Sequence, residues 1–562
     1  MSFAIYYARE GYDISLPKLM GRNAAGASFI RGLLKYGQGE SVSCLVESEE
    51  DSVFFENELL RYSAGKKCSI IKKSRLRDIS TVGGLYYPGP NIGELAYQRA
   101  SATSENDSWS ISGITHTTSS ARAMDAITDL ITSPVQPWDS LICTSTAVKK
   151  NIEVVLQARV DELRDRLGIT KIVLPKLPVI PLGVHTEDFN YTKSQRIDAR
   201  KSLNASSKTL IVLYTGRLSF HAKAHPFAMY EALERAAQIT QKEVVLVECG
   251  WHANDYIEKA FAAAAHQTSP SIRVITLDGR IAENRQIAWA AADIFCSLSD
   301  NIQETFGIVP IEAMAAGLPV VITDWDGYKD TVRDGIDGFR IPTITSSPGS
   351  AGDLAHRHAL ELDTYDMYCG YTSSLVAVHN KKLTDAFVEL FKSQALRIKM
   401  GQAGRQRAIN NYDWRGIITS YEELWKEQTS IRLSAKLARE NSDLVSSKSL
   451  SLWPARLDPT ISFANYPTGH LTPQTELVLT ELSATRAFDK LEKIRALVMV
   501  NYASYVFPTN EELKSIFEIA ELALPCGSTP GELVRLIEPH RKPFAVRGLV
   551  WLCKLGLLEF LD

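Results

Sequence analysis

Short, almost uniformly apolar runs recur through the first three quarters of the chain. Most are closed by glycine, serine or threonine and followed by a longer stretch with apolar positions at helical spacing. FAIYY (3–7), SVSCLVES (41–48), CSIIKK (68–73), SISGI at the head of 110–120 and LICTST form one series, and LIVLY, EVVLVECG (243–250), RVITLDGR (273–280), DIFC and PVVIT form a second. Runs of this kind, without alternation, predict strands buried on both faces, and the helical spacing between them predicts parallel sheets covered by helices. Pro178, Pro181 and Gly183 in LPVIPLGVHTEDF (177–189) interrupt regular structure, and a new α/β unit starts at residue 209. Residues 343–380 break the pattern: TITSSPGSAG reads as loop and DLAHRHALELDTYDMYCGY is polar and aromatic, as in an insertion. A serine-rich stretch over 429–472 reads as a linker. The remaining residues read as a separate, mainly helical unit in which VRGLVWLCKLGLLEFL carries an amphipathic stripe.

The stretch SLSDNIQETFGIVPIEAMAAG (297–317) concentrates the candidate chemistry. Its strand ends before Glu304, and Pro310 is tolerated only in the first turn of the helix that follows. Glu304 is therefore expected in the loop at the strand's C-terminal end and Glu312 early on the helix, with the amides of Thr305, Phe306 and Gly307 at its N-terminus. Free amides and the helix dipole suit a phosphate there, and in open α/β sheets that corner is where ligands bind. LIVLY delivers Gly216 and Arg217 at its end and Lys223 on the next loop. A guanidinium and an ammonium so placed can neutralise a diphosphate.

Charge and composition narrow the function classes. Of 562 residues, 62 are Lys or Arg and 65 are Asp or Glu, a net charge of −3 that argues against general nucleic-acid binding. Hydrophobic residues at 45% and charged residues at 23% fit a globular protein of more than one domain. The eight cysteines never fall as C-x-x-C and read as buried thiols in a reducing compartment. No signal peptide or membrane span is evident, so a cytoplasmic protein is expected. His356 and His358 imply no third metal ligand. Asp324-Trp325-Asp326 is formally an Asp-x-Asp, but it opens a turn closed by Gly327 where aspartates bend the chain. No metal site is expected.

Glu-x7-Glu with its Phe-Gly turn, followed by EAMAAGLPVV and DGIDGF, closely resembles the nucleotide-sugar site of retaining GT-B glycosyltransferases of glycosyltransferase family 4 (glycosyl transferases group 1). The likeness runs over roughly residues 180–425. It implies two Rossmann-like domains facing across a cleft, 1–190 on the acceptor side and 191–428 binding the donor, with the small helical domain at 473–562 added. It places the hinge near residue 190 and makes Asp413-Trp414 the point where the last helix crosses back. Arg217 and Lys223 become a diphosphate clamp, although Ala224 stands where the family has glycine. Glu304 would hold the sugar, Glu312 the ribose hydroxyls, and Arg280 would lie in the segment that contacts the base. His116 matches the family's cleft histidine, and Arg22, Asn23 and Gly26 match a loop approaching the donor phosphate. The implied substrates are a nucleotide-diphosphate sugar, with no cofactor or metal required, and a glycan, lipid-linked or other hydroxyl acceptor. The C-terminal unit is left as the attachment for a peripheral membrane or protein partner. A glycan phosphorylase, a sugar-nucleotide epimerase and a non-catalytic nucleotide-sugar-binding or scaffolding protein are the alternatives. The first depends on a pyridoxal lysine, for which no context is visible in this chain, and the second lacks the Glu-x7-Glu pattern.

Overall fold

The computed structural model describes residues 3–13, 21–63, 65–440 and 453–561, with Gly21 and Arg22 described in their backbone alone. The chain divides into two compact units, Met1–Pro454 and Ala455–Asp562.

The first unit contains two six-stranded sheets with helices between the strands. β1 (Ala4–Tyr7), β2 (Ser41–Val46), β3 (Lys67–Lys72), β4 (Gly84–Tyr86), β5 (Ser110–Ile114) and β6 (Ser140–Ile142) stand in the order β3-β2-β1-β4-β5-β6. β7 (Leu210–Thr215), β8 (Val244–Gly250), β9 (Arg273–Asp278), β10 (Ile294–Ser297), β11 (Val320–Thr323) and β12 (Gly338–Ile341) stand in the order β12-β11-β10-β7-β8-β9. Every pairing in both sheets is parallel. The two halves thus repeat one doubly wound topology, the GT-B arrangement. The strand order reverses between β1 and β4 in one and between β7 and β10 in the other, and ligands of doubly wound folds bind at such a reversal. β8, β10 and β11 are buried along their whole length, which is why their sequences do not alternate.

The glycine-rich loop expected around Gly21–Gly26 is not a loop: residues 21–36 form one helix. Gly26 is buried in it against another segment, where a Cβ would stand 2.5 Å from the carbonyl of Gly11 and 3.1 Å from the Tyr12 ring. Asn23 is buried and donates from Nδ2 to the carbonyl of Glu10 at 2.6 Å. Close helix packing accounts for both residues, and neither is on a loop reaching toward a phosphate. The side chain of Arg22 and residues 14–20 lie outside the described residues.

The two halves are joined twice. Val184 donates its amide to the carbonyl of Tyr412 at 2.8 Å, and the amide of Trp414 donates back to Val184 at 3.2 Å. Trp414 is fully buried, with a Cβ on Gly183 placed 2.4 Å from its ring and one on Gly32 placed 2.8 Å from it. Its indole donates to Ser28 Oγ at 2.7 Å. From here the Trp414–Glu440 helix lies back on the first sheet. Gln428 donates to the carbonyls of Ile111 and Trp138 and accepts from Ser112 Oγ at 2.7 Å, while Arg432 donates to the carbonyl of Asp107 at 3.1 Å. Residues 429–440, expected to begin the linker, therefore continue this helix, because its buried polar face needs those partners.

β13 (Thr343–Thr345) and β14 (Val376–Val378) pair antiparallel and enclose two helices, Gly352–Ala359 and Tyr365–Ser373, which make up the insertion. The second unit, taken by itself, begins at residue 455 rather than 473. β15 (Leu477–Leu479) and β16 (Leu558–Phe560) pair antiparallel beside helices at Ala484–Arg495, Asn510–Leu522 and Lys542–Lys554. Leu491, Phe517, Leu549 and Leu552 fill its core. All eight cysteines are free. Among the described residues no helix is long and apolar enough to cross a membrane.

Trp414→Ala is expected to destabilise the first unit by about 3–5 kcal/mol, since a large buried aromatic leaves a cavity its glycine neighbours do not fill; urea unfolding checks this. A chain ending at residue 454 should unfold cooperatively, whereas one ending at 430 should be markedly less stable for want of the Arg432 contacts. Equal midpoints for the two would show that the last turns of the helix contribute nothing.

Candidate functional site

β7 and β10 are neighbours in the second sheet, so the loops leaving their C-terminal ends meet where the strand order reverses. The β10 loop carries Asn301 to Phe306 and leads through Gly307 into the Ile308–Ala315 helix. Gly307 has φ +82°, and a Cβ there would stand 1.9 Å from the Tyr328 ring, so the turn admits glycine alone. Phe306 is buried in the core, leaving only its backbone to serve a ligand.

Glu304 is the hub of this corner. One carboxylate oxygen is 2.5 Å from Lys223 Nζ, and the other accepts from the amides of Thr305 at 3.4 Å and Gly307 at 3.1 Å. Burial pushes its pKa up, but the Lys223 charge and hydrogen bond and the amides of Thr305 and Phe306 outweigh it, and the net shift is downward. Glu304 is thus held ionised. Two of the amides predicted to stand free before the helix, those of Thr305 and Gly307, are engaged by this side chain. Arg217 follows Gly216 at the end of β7 and donates from Nη2 to the Ala222 carbonyl at 2.7 Å and to Gln303 Oε1 at 3.0 Å. Gly216 has φ +145° and lets the chain turn there. Arg217 and Lys223 thus converge on consecutive residues, Gln303 and Glu304.

Other carboxyl groups surround this cluster. Burial pushes Glu312 up to about 8, opposed by Arg285, and part of its surface stays open. Burial, aided by the charge of Glu304, pushes Asp326 up to about 8. Asp300 and Glu248 are pushed up to about 7 by burial, and Tyr230 donates to Glu248 at 2.6 Å. Within the Asp-x-Asp triplet, Asp324 lies 3.5 Å from Arg340 Nε, Trp325 donates to the Asn301 carbonyl at 3.1 Å, and Asp326 has φ +43°. Among the described residues no group of three or more His, Cys, Asp and Glu is placed to hold a metal ion.

The first half faces this corner through the loops after β5 and β6. Ser145 Oγ donates to the Thr305 carbonyl at 2.7 Å, and Thr305 Oγ1 donates to the His116 carbonyl at 3.4 Å. The backbone of His116 is therefore brought to the Thr305 turn. Arg280 is not drawn in: it is exposed and its guanidinium folds onto Asp278, with Nε–Oδ1 at 2.9 Å and Nη2–Oδ2 at 2.7 Å. A neighbouring carboxylate two residues away holds it at the rim. Gly26 likewise belongs to helix packing. The sequence did not single out Gln303, Asp300, Thr117, Ser119 or Tyr365, and it read Asp326 only as a turn residue. Gln303 alone carried a signal, its place beside Glu304.

Residues 195–353 match the family of glycosyl transferases group 1. That segment contains Arg217, Lys223, Glu304 and Glu312. Among curated proteins, the chain is 34% identical over 128 residues to a phosphatidyl-myo-inositol mannosyltransferase of Mycobacterium leprae, covering 23% of this chain and 24% of that one. It is 29% identical over 191 residues to a D-inositol 3-phosphate glycosyltransferase of Mycolicibacterium vanbaalenii, covering 32% of this chain and 40% of the other. The chain thus spans well under half the length of these two relatives. Among solved structures it is similar to Anabaena HepE in complex with UDP and glucose, at 13% identity and TM-score 0.47, over 76% of this chain and 99% of that one.

The raised carboxyls imply a defined pH response. Glu248, Asp300, Glu312 and Asp326 bind protons more tightly folded than unfolded, so stability is expected to fall as pH rises from about 4.5 to about 8. Glu304, lowered, adds a loss of stability only as pH drops below the ordinary carboxylate range. Glu312→Gln should flatten the upper part of the decline, followed as melting temperature against pH. An unchanged slope would show that Glu312 does not titrate there.

Proposed function

We propose that the protein is a retaining glycosyltransferase that moves a sugar from a nucleotide-diphosphate sugar to an acceptor hydroxyl. The observation that carries this reading is the convergence of Arg217, Lys223 and Glu304 where the strand order reverses, inside the segment matched by the glycosyl transferases group 1. Those relatives named as transferring mannose or another sugar to inositol compounds favour a hydroxyl acceptor.

The chemical difficulty is the charge that grows on the departing diphosphate while the sugar becomes oxocarbenium-like. Arg217 and Lys223 supply fixed positive charge to that phosphate. As the donor enters, Lys223 shares its charge between Glu304 and the phosphate. Glu304, held ionised, accepts hydrogen bonds from sugar hydroxyls and orients the ring. Glu312, carrying a proton near neutral pH, can both donate to and accept from ribose hydroxyls. His116 lines the sugar side. Retention follows from attack on the face the phosphate leaves: the bond from the anomeric carbon to the β-phosphate oxygen breaks, the acceptor oxygen forms its bond there, and its proton passes to the leaving phosphate. No protein nucleophile is needed, nor a metal, since the clamp already bears the charge a cation would bring. The free thiols accord with a cytoplasmic setting. A product glycan or glycoconjugate is the natural destination, with the unit at 455–562 as the module for a membrane or protein partner.

Arg217→Ala is expected to lower turnover by about 10²–10³ with a small change in melting temperature. Unaltered turnover would remove Arg217 from the clamp. A thermal-shift screen across UDP, GDP, ADP and dTDP sugars should identify the donor, with a ligand at 100 times its Kd adding about 2.7 kcal/mol. Transfer should persist in excess EDTA and yield the donor's anomeric configuration by NMR. Loss of activity under EDTA with rescue by Mn²⁺ would overturn the metal-free mechanism.

A further inference from the structure

The insertion between β12 and the Asn380–Lys392 helix is not a detached loop: it reaches both faces of the cleft. Its Tyr365–Ser373 helix is capped by Thr364 and packs so closely on the loop after β7 that a Cβ on Gly370 would stand 2.9 Å from His221 Cβ. His221 is tied to the site in turn, its carbonyl accepting from Asn301 Nδ2 at 3.0 Å. At the helix's first residue, the Tyr365 hydroxyl shares hydrogen bonds with Thr117 Oγ1 at 3.1 Å and Ser119 Oγ at 2.9 Å, on the loop that carries His116. Cys369, one turn on, is fully buried. The helix is thus fixed at one end to the first half and along its length to the second.

That fixation places Asp366 beside the clamp. Its Oδ2 lies 3.9 Å from Arg217 Nη1, while Arg217 Nη2 is held by Ala222 and Gln303. The Asp366 side chain is 46% exposed and can swing outward at little cost, whereas Arg217, 27% exposed, is anchored by its other nitrogen. A carboxylate and a phosphate cannot both sit on the same guanidinium edge without repelling each other. We propose that Asp366 is a displaceable counter-charge for Arg217, which sets how tightly the cleft holds a nucleoside diphosphate and reclaims the arginine when that product leaves. This rests on the assignment of Arg217 to the diphosphate clamp. The role is one of specificity and release: Asp366 weakens the hold on a ligand whose β-phosphate reaches Arg217 and leaves a monophosphate untouched. Tyr365 is the positioning residue that keeps Asp366 in range.

The test uses the full chain and calorimetric titration with UDP, GDP and ADP and their monophosphates. Asp366→Asn should tighten the best-binding diphosphate about two- to fivefold, the range an exposed ion pair is worth, and leave its monophosphate unchanged. Asp366→Glu should bind as the parent does. In an Arg217→Ala background, Asp366→Asn should have no further effect. An equal gain for monophosphate and diphosphate, a gain that survives Arg217→Ala, or no gain with diphosphate binding intact would each overturn the counter-charge while leaving the glycosyltransferase reading standing. Failure of every diphosphate to bind the parent chain would sink both.

Discussion

The site depends on one half-buried ion pair, Lys223 with Glu304. A carboxylate drawn largely out of water must be compensated, and here the ammonium of the β7 loop and the backbone amides of the β10 turn do it together. The pair therefore does three things with one set of atoms. It ties the loops of two adjacent strands, it holds the turn that leads into the Ile308–Ala315 helix, and it keeps a charged carboxylate at this corner. Removing either partner would strand the other charge. The geometry of Arg217, which leans on Gln303 next door, depends on the same turn.

Around that pair the environment sorts chemically similar groups into different states. Glu304 stays ionised because a cation and amides face it, while Glu312 and Asp326, buried with weaker compensation, keep their protons toward neutral pH. Carboxyls within one corner thus divide into acceptors only and groups able to donate as well. The proposed donor, which carries both a sugar and a ribose, would call for both kinds of partner.

Most strands were legible as apolar runs, while β4 (Gly84–Tyr86) and β12 (Gly338–Ile341) are too short to stand out; the β10 turn was legible because Gly307 and Pro310 each fit few backbone conformations. The N-terminal glycines misled for the opposite reason. Gly26 is required by close approach of the Gly11 backbone, and small residues that serve packing look the same in a sequence as small residues that free a loop. The pairing of Arg280 was not legible, because nothing in a linear pattern says that Asp278 will claim its guanidinium. The continuation of the last helix past residue 428 was hidden by its composition: Gln428 and Arg432 are polar residues whose burial is made acceptable by carbonyls hundreds of positions away. Tyr365 and Asp366 were unreadable on the same ground, since their partners lie at 117, 119 and 217.

The double crossing at Val184 and Trp414 has a mechanical meaning. The two chain segments that connect the halves are hydrogen-bonded to each other, and Trp414 is wedged between Gly183 and Gly32. Pulling the segments apart would break their mutual bonds, so the two crossings act as a single joint, and loss of the Trp414 side chain would loosen both at once.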